Sequence, residues 1–156
     1  VYGVNLGITW KQFDLSLLFQ GQAKVINTIQ ETWVDPSSGG AGNLMQWWTE
    51  DMWTPENTDG TKPRLGTPNK INGTTFTNIN AAFFKLKNAE IGYTLPVAVR
   101  EKIGVANARV YLSGTNLFSF DHMRGMGIDP EATGSGYGGW ALNPQRLINL
   151  GVNVSF

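Results

Sequence analysis

Apolar and polar side chains alternate along most of this chain, interrupted by two long stretches. The pattern is clearest in residues 147–156, L-I-N-L-G-V-N-V-S-F. There Ile148, Leu150, Val152, Val154 and Phe156 share one face of an extended strand, and Asn149, Gly151, Asn153 and Ser155 share the other. Residues 1–10 repeat it, with Tyr2, Val4, Leu6, Ile8 and Trp10 against Gly3, Asn5, Gly7 and Thr9. Lys11-Gln12 is a connection of hairpin length, after which Phe13, Leu15, Leu17 and Phe19 oppose Asp14, Ser16 and Gln20, with Leu18 breaking the rule. Further on, Ala89, Ile91, Tyr93 and Leu95 oppose Leu86, Asn88, Glu90, Gly92 and Thr94. Next, Val110, Leu112, Phe118 and Phe120 oppose Arg109, Tyr111, Ser113 and Thr115, with Asn116 an irregularity on the oily side. The pattern predicts an all-β chain, an antiparallel meander of five long strands over residues 1–10, 13–23, 81–95, 107–120 and 143–156.

What the oily faces meet is a separate matter. The polar faces carry mostly small uncharged groups, and no Lys or Glu follows Arg146, which suits a wet interior. A membrane barrel has this sidedness, and so does a half-buried strand of a soluble sandwich. The first two predicted strands match the roughly 9–11 residues that a tilted membrane strand needs, beyond the usual length of about 5–6. Trp10 and Phe13 flank the tight turn, where an aromatic girdle meets lipid headgroups or where two rings cap a soluble core. Residues 96–104 read as a short helical turn with Pro96 at its start and Gly104 as its stop. The connections then sort by end: Lys11-Gln12 and residues 96–104 at one rim, the long loops 24–80 and 121–142 at the other. Short turns opposite long loops are the habit of outer-membrane barrels, so the strands are expected to be part of a transmembrane β-barrel.

Composition narrows the partners. Among 156 residues, 12 basic and 12 acidic side chains cancel, so no basic field draws nucleic acid. Cysteine is absent, which excludes a disulfide framework and a thiolate metal site. No apolar run approaches the roughly 20 residues of a spanning helix, so membrane insertion must be by strands. Val1 already sits in a strand pattern with no leader and no initiator Met before it, the expectation for a piece of a longer chain. The loop 24–80 is rich in Gly, Pro, Asn, Thr and Trp, and its Trp content argues against disorder. Trp47, Trp48 and Trp53, with Trp140 in the second loop, are candidate contacts for a ligand or a lid protein. Trp47, Trp48 and Trp53 serve equally as a small core that holds the loop together, and a helical turn or two is expected between Met45 and Met52.

Several ordered motifs carry a family resemblance. K-L-K-N-A-E-I-G-Y-T-L-P at 85–96, a short basic helix, A-R-V-Y-L-S-G-T-N-L-F at 108–118, D-P-E at 129–131 and the terminal G-V-N-V-S-F resemble the end of SusC/RagA-type TonB-linked outer-membrane transporters. W-T-P-E-N at 53–57, running on to Pro63-Arg64, is similar to theirs as well. The resemblance implies a closed barrel of roughly 22 strands around a plug, of which this chain matches the last five strands. It implies import of oligosaccharides or peptides with a SusD-like lid lipoprotein, energised by TonB through an N-terminal part absent from these residues. It also implies that the terminal aromatic is read during insertion, so Ile148, Leu150, Val152, Val154 and Phe156 are expected to act as a barrel-assembly signal.

Enzymatic chemistry finds little footing. His122 is the only histidine and has no Cys or Ser-centred elbow to pair with. Glu50-Asp51, Glu56 with Asp59, and Asp129 with Glu131 lie on loops, without the rigid separation that glycoside hydrolysis needs and without Ca²⁺-loop spacing. No catalytic residue, cofactor or metal is expected. The alternative to an importer segment is a soluble all-β carbohydrate-binding module whose loop tryptophans stack on sugar.

Overall fold

A computed structural model describes residues 1–29, 44–66, 74–131 and 143–156. Its long strands are β1 (Tyr2–Trp10), β2 (Phe13–Gln22), β5 (Phe83–Thr94), β6 (Asn107–Asp121) and β7 (Leu147–Ser155). Between β2 and β5 lie β3 (Ile26–Thr28), helix α1 (Gln46–Thr49) and β4 (Asn78–Asn80). Helix α2 (Val97–Ile103) joins β5 to β6, and a 3-10 turn (Arg124–Met126) follows β6. The long strands form one five-stranded antiparallel sheet in the order β1-β2-β5-β6-β7, with β1 and β7 as open edges, so the sheet is not closed. Strands β3 and β4 pair separately as a short ribbon.

The chain divides into two compact units. Val1–Gln22, Phe83–Phe120 and Pro144–Phe156 form the sheet unit, and Ala23–Ala82 with Asp121–Asn143 form the loop unit. The sheet is joined tightly at one end only. Trp10 pairs with Phe13 across Lys11-Gln12, and Lys11 sits at φ +54, the left-handed conformation that two-residue hairpin turns use. Helix α2 closes the next link: Gly104 at φ +72 receives its C-terminus and the Val105 amide donates back to the Arg100 carbonyl at 3.1 Å.

Two irregularities reassign side chains that simple alternation misplaced. In β5, Phe19 pairs with Leu86 while Leu18 pairs with Asn88, so Lys87 is an extra residue in the ladder. Leu86 therefore joins Phe19, Leu17 and Ala89 on the oily face, where unbroken alternation had put it among the polar residues. In β6, Asn116 adopts φ +53 and Leu117 turns to the oily face, its side chain lying over Gly114. Alternation from Leu117 carries Phe118 and Phe120, whose rings meet edge to face at 4.2 Å, to the opposite side. The helical turn expected between Met45 and Met52 is α1, and the stretch expected as one long loop over 24–80 also holds the strands β3 and β4. Strands of three residues are too short to leave a periodic signature.

Candidate functional site

The working surface is a wall with two unlike faces. On the oily face Val4, Leu6, Ile8, Ile91, Val110, Leu112, Ile148, Leu150, Val152 and Val154 are all exposed, and among the described residues no second layer covers them. Aromatic rings bracket that face. At the short-turn end Trp10 lies beside Phe13, Phe13 meets Tyr93 at 4.7 Å between ring centroids, and the Lys11 ammonium stands 4.8 Å over the Trp10 ring. At the opposite end Phe84 stacks on Phe19 at 5.5 Å and on Tyr2 at 6.3 Å. Tyr2 lies across Gly21, where a β-carbon would collide with its ring. The eight residue steps from Tyr2 to Trp10 cover about 27 Å along the strand, and about 20 Å once a barrel's ~40° strand tilt is applied, close to the apolar band of an outer-membrane barrel. Alternation pointed to the first cluster; the second was hidden by the extra residue at Lys87.

The other face is polar, with charged side chains paired across strands. Arg109 Nε donates to Asp14 Oδ1 at 3.0 Å, and its Nη2 donates to Glu90 Oε1 at 2.7 Å and to Asp14 Oδ2. One guanidinium thus ties β2, β5 and β6 together. Gly92 makes room for it, since a β-carbon there would strike the guanidinium, and Gly151 makes the same room for the Tyr111 ring. The polar positions were legible, but the pairing of Asp14 with Arg109, 95 residues apart, depends on register.

The loop unit separates the candidate tryptophans. Trp48, 1% exposed, is the centre of a small core with Ile29, and Met45, Trp47, Ile79, Met126 and Ile128 pack against it. Trp47 meets Trp48 edge-on at 5.6 Å. Trp48 is buried in that packing, and Trp47 is partly buried against it. Trp53 is exposed. It projects from a pinned lobe in which the Trp53 amide donates to the Lys62 carbonyl at 2.8 Å, Lys62 N to the Asp51 carbonyl at 2.9 Å, and Asn57 Nδ2 to the Met52 carbonyl at 3.0 Å. The Thr61 amide and hydroxyl both donate to the Asp51 carboxylate, which holds its pKa below the usual aspartate value. Trp140 lies outside the described residues. No cluster of three or more metal-ligating side chains occurs among the described residues.

Ile148, Leu150, Val152 and Val154 line the oily face of β7, which pairs only with β6, and Phe156 follows just beyond the strand. Long strands, an apolar outside bracketed by aromatic rings, a polar inside and tight turns at one end define a wall segment of a transmembrane β-barrel.

The comparisons with known proteins agree. No family model matches the chain. TonB-dependent receptor P26 of Formosa agariphila is 30% identical over the whole chain, and TonB-dependent receptor P3 of the same organism is 30% identical over 99% of it. The chain spans 17% and 16% of the lengths of those two relatives. The RagAB peptide importer in its open-open state superposes with a TM-score of 0.74 at 26% identity, covering 99% of this chain and 17% of that one. The RagAB peptide transporter gives 0.70 at 27% identity over the same shares. Over its whole length the chain matches TonB-dependent receptors and the barrel region of the RagAB importer, as a barrel segment of such a receptor does and as its ordered motifs implied.

Proposed function

We propose that these residues form the last five strands of an outer-membrane importer that crosses the membrane as a closed, multi-pass barrel. In this reading it takes up oligosaccharides or peptides together with a SusD-like lipoprotein lid and draws its energy from TonB through a part outside this chain. The single observation that supports it most is the reversal of sidedness in the sheet unit, with Leu, Ile and Val outward and polar side chains, the Asp14, Glu90 and Arg109 group among them, inward. A soluble carbohydrate-binding module would have to cover that outward face. Peptides are the cargo to test first, because two structural neighbours are the RagAB peptide importer and the RagAB peptide transporter. The lid contact falls to Trp53, the one candidate tryptophan exposed among the described residues, while Ile148, Leu150, Val152, Val154 and Phe156 present the strand that is read during insertion. Uptake of labelled peptides and oligosaccharides by cells producing the complete receptor, with and without TonB, tests the reading. Uptake that requires both proteins is expected; a receptor found in the soluble fraction, or uptake indifferent to TonB, would reject it.

A further inference from the structure

The outward face is not evenly bulky. The Leu95 amide donates to the Ala108 carbonyl at 2.9 Å, and counting back along the two antiparallel strands brings Ile91 beside Leu112 and Ala89 beside Gly114. Ala89 and Gly114 are a pair of very small residues on a face otherwise built of Leu, Ile, Val and aromatic rings. Leu15, Ile91, Leu112, Leu117 and Ile148 stand around them, and the result is an open trough of about 180 Å³ across four strands. Its wall depends on the irregularity in β6. Asn116 takes the left-handed region, and the next residue, Leu117, arches over Gly114, where a β-carbon would stand 2.6 Å from Leu117 Cδ2.

We propose that this trough seats one acyl chain of a membrane phospholipid from the leaflet on the short-turn side. The proposal rests on the reading of the outward face as lipid-facing, and the trough is continuous with that face. Every side chain that walls it is hydrocarbon; Glu90 and Ser113, which also border it, belong to the polar face. Leu15 and Ile91 form the first outward pair beyond Phe13 and Tyr93. A lipid with its headgroup level with Trp10 and Lys11 therefore lays its upper methylenes along the trough. A dent in a wall facing hydrocarbon is filled at no dehydration cost, and the gain is the extra dispersion contact around the seated chain.

The test uses the complete receptor in lipid nanodiscs, carrying a single bimane-labelled cysteine in this segment, which has no cysteine of its own. The label is placed at Ile148 on the trough rim or at Val4, Leu6 or Ile8 on the flat part of the same face. Phosphatidylcholine with a nitroxide on its acyl chain is the quencher. Quenching at Ile148 is expected to reach half-maximum at about threefold less labelled lipid than at any flat position, the effect of a handful of added dispersion contacts. The substitution Ala89→Leu, which fills the floor, should bring Ile148 to the flat-face value while the receptor still inserts. Equal quenching at all four positions would overturn the seat and leave the barrel intact. No quenching at any position would overturn the lipid-facing assignment itself.

Discussion

The two units of this chain bury opposite chemistry. In the loop unit Trp48, Met123 and Ile29 go inside, as in a water-soluble protein. In the sheet unit Leu150 is 76% exposed and Ile148 67%, while Lys85, its ammonium 5.1 Å from the Phe83 ring centre, is 2% exposed. The same residue types thus change sides within one polypeptide. Hydrophobicity alone does not say which residues are interior; the solvent around each unit does. A wall whose outer solvent is hydrocarbon gains nothing by hiding leucine, and it must instead pair every backbone group within the sheet.

The largest effect that would break this contrast comes from the loop unit. Trp48→Ala removes the centre of its core, and a loss of about 3–5 kcal/mol of local stability is expected. Hydrogen exchange on the complete receptor should show the amides of residues 44–66 losing protection while those of β1, β2 and β7 keep theirs. If the sheet amides loosened equally, the two units would not be energetically distinct. Next in size is a charge on the outward face. Leu6 lies midway between the aromatic clusters, so Leu6→Arg should cost about 2–4 kcal/mol of barrel stability, the depth-dependent penalty at a bilayer midplane. Ser16→Arg, on the polar face of the neighbouring strand, should leave urea unfolding in lipid nearly unmoved. Equal losses at the two sites would mean that both faces meet the same solvent.

How much of this was legible beforehand follows from how far a signal can reach along the chain. The two-residue period of β1 and β7 is unbroken and that of β2 is interrupted only by Leu18, so the sidedness of those strands could be read directly. The period fails at two places: the extra residue Lys87 hid the outward placement of Leu86, and Asn116, at positive φ, hid that of Leu117. The Tyr2, Phe19 and Phe84 stack went unseen for the first of these reasons. The role of Trp48 was readable only as one of two alternatives, because its partners Ile29, Ile79 and Met126 come from segments that no local pattern connects. The ion group of Asp14, Glu90 and Arg109 needs the register of three strands before any two of its members meet.

The smallest expected effect sharpens the comparison from the water side. In the loop unit the Asp51 carboxylate accepts two hydrogen bonds from Thr61, and these favour its ionised form and lower its pKa. A carboxylate whose pKa is lower folded than unfolded adds stability that is fully present above the unfolded value, about 3.9. That contribution is lost as pH falls through the lowered folded value. Protection of the Thr61 amide, corrected for intrinsic exchange, should therefore hold from pH 7 down to pH 5 and then fall in the acid range. Asp51→Asn should start from weaker protection and remove that fall. The hydrogen bond from the Trp53 amide to Lys62 does not involve the carboxylate and should outlast the Thr61 bond on acidification, keeping the lobe's backbone in place. An unaltered acid transition in Asp51→Asn would assign the loss to another group and leave the lobe without its titratable clamp.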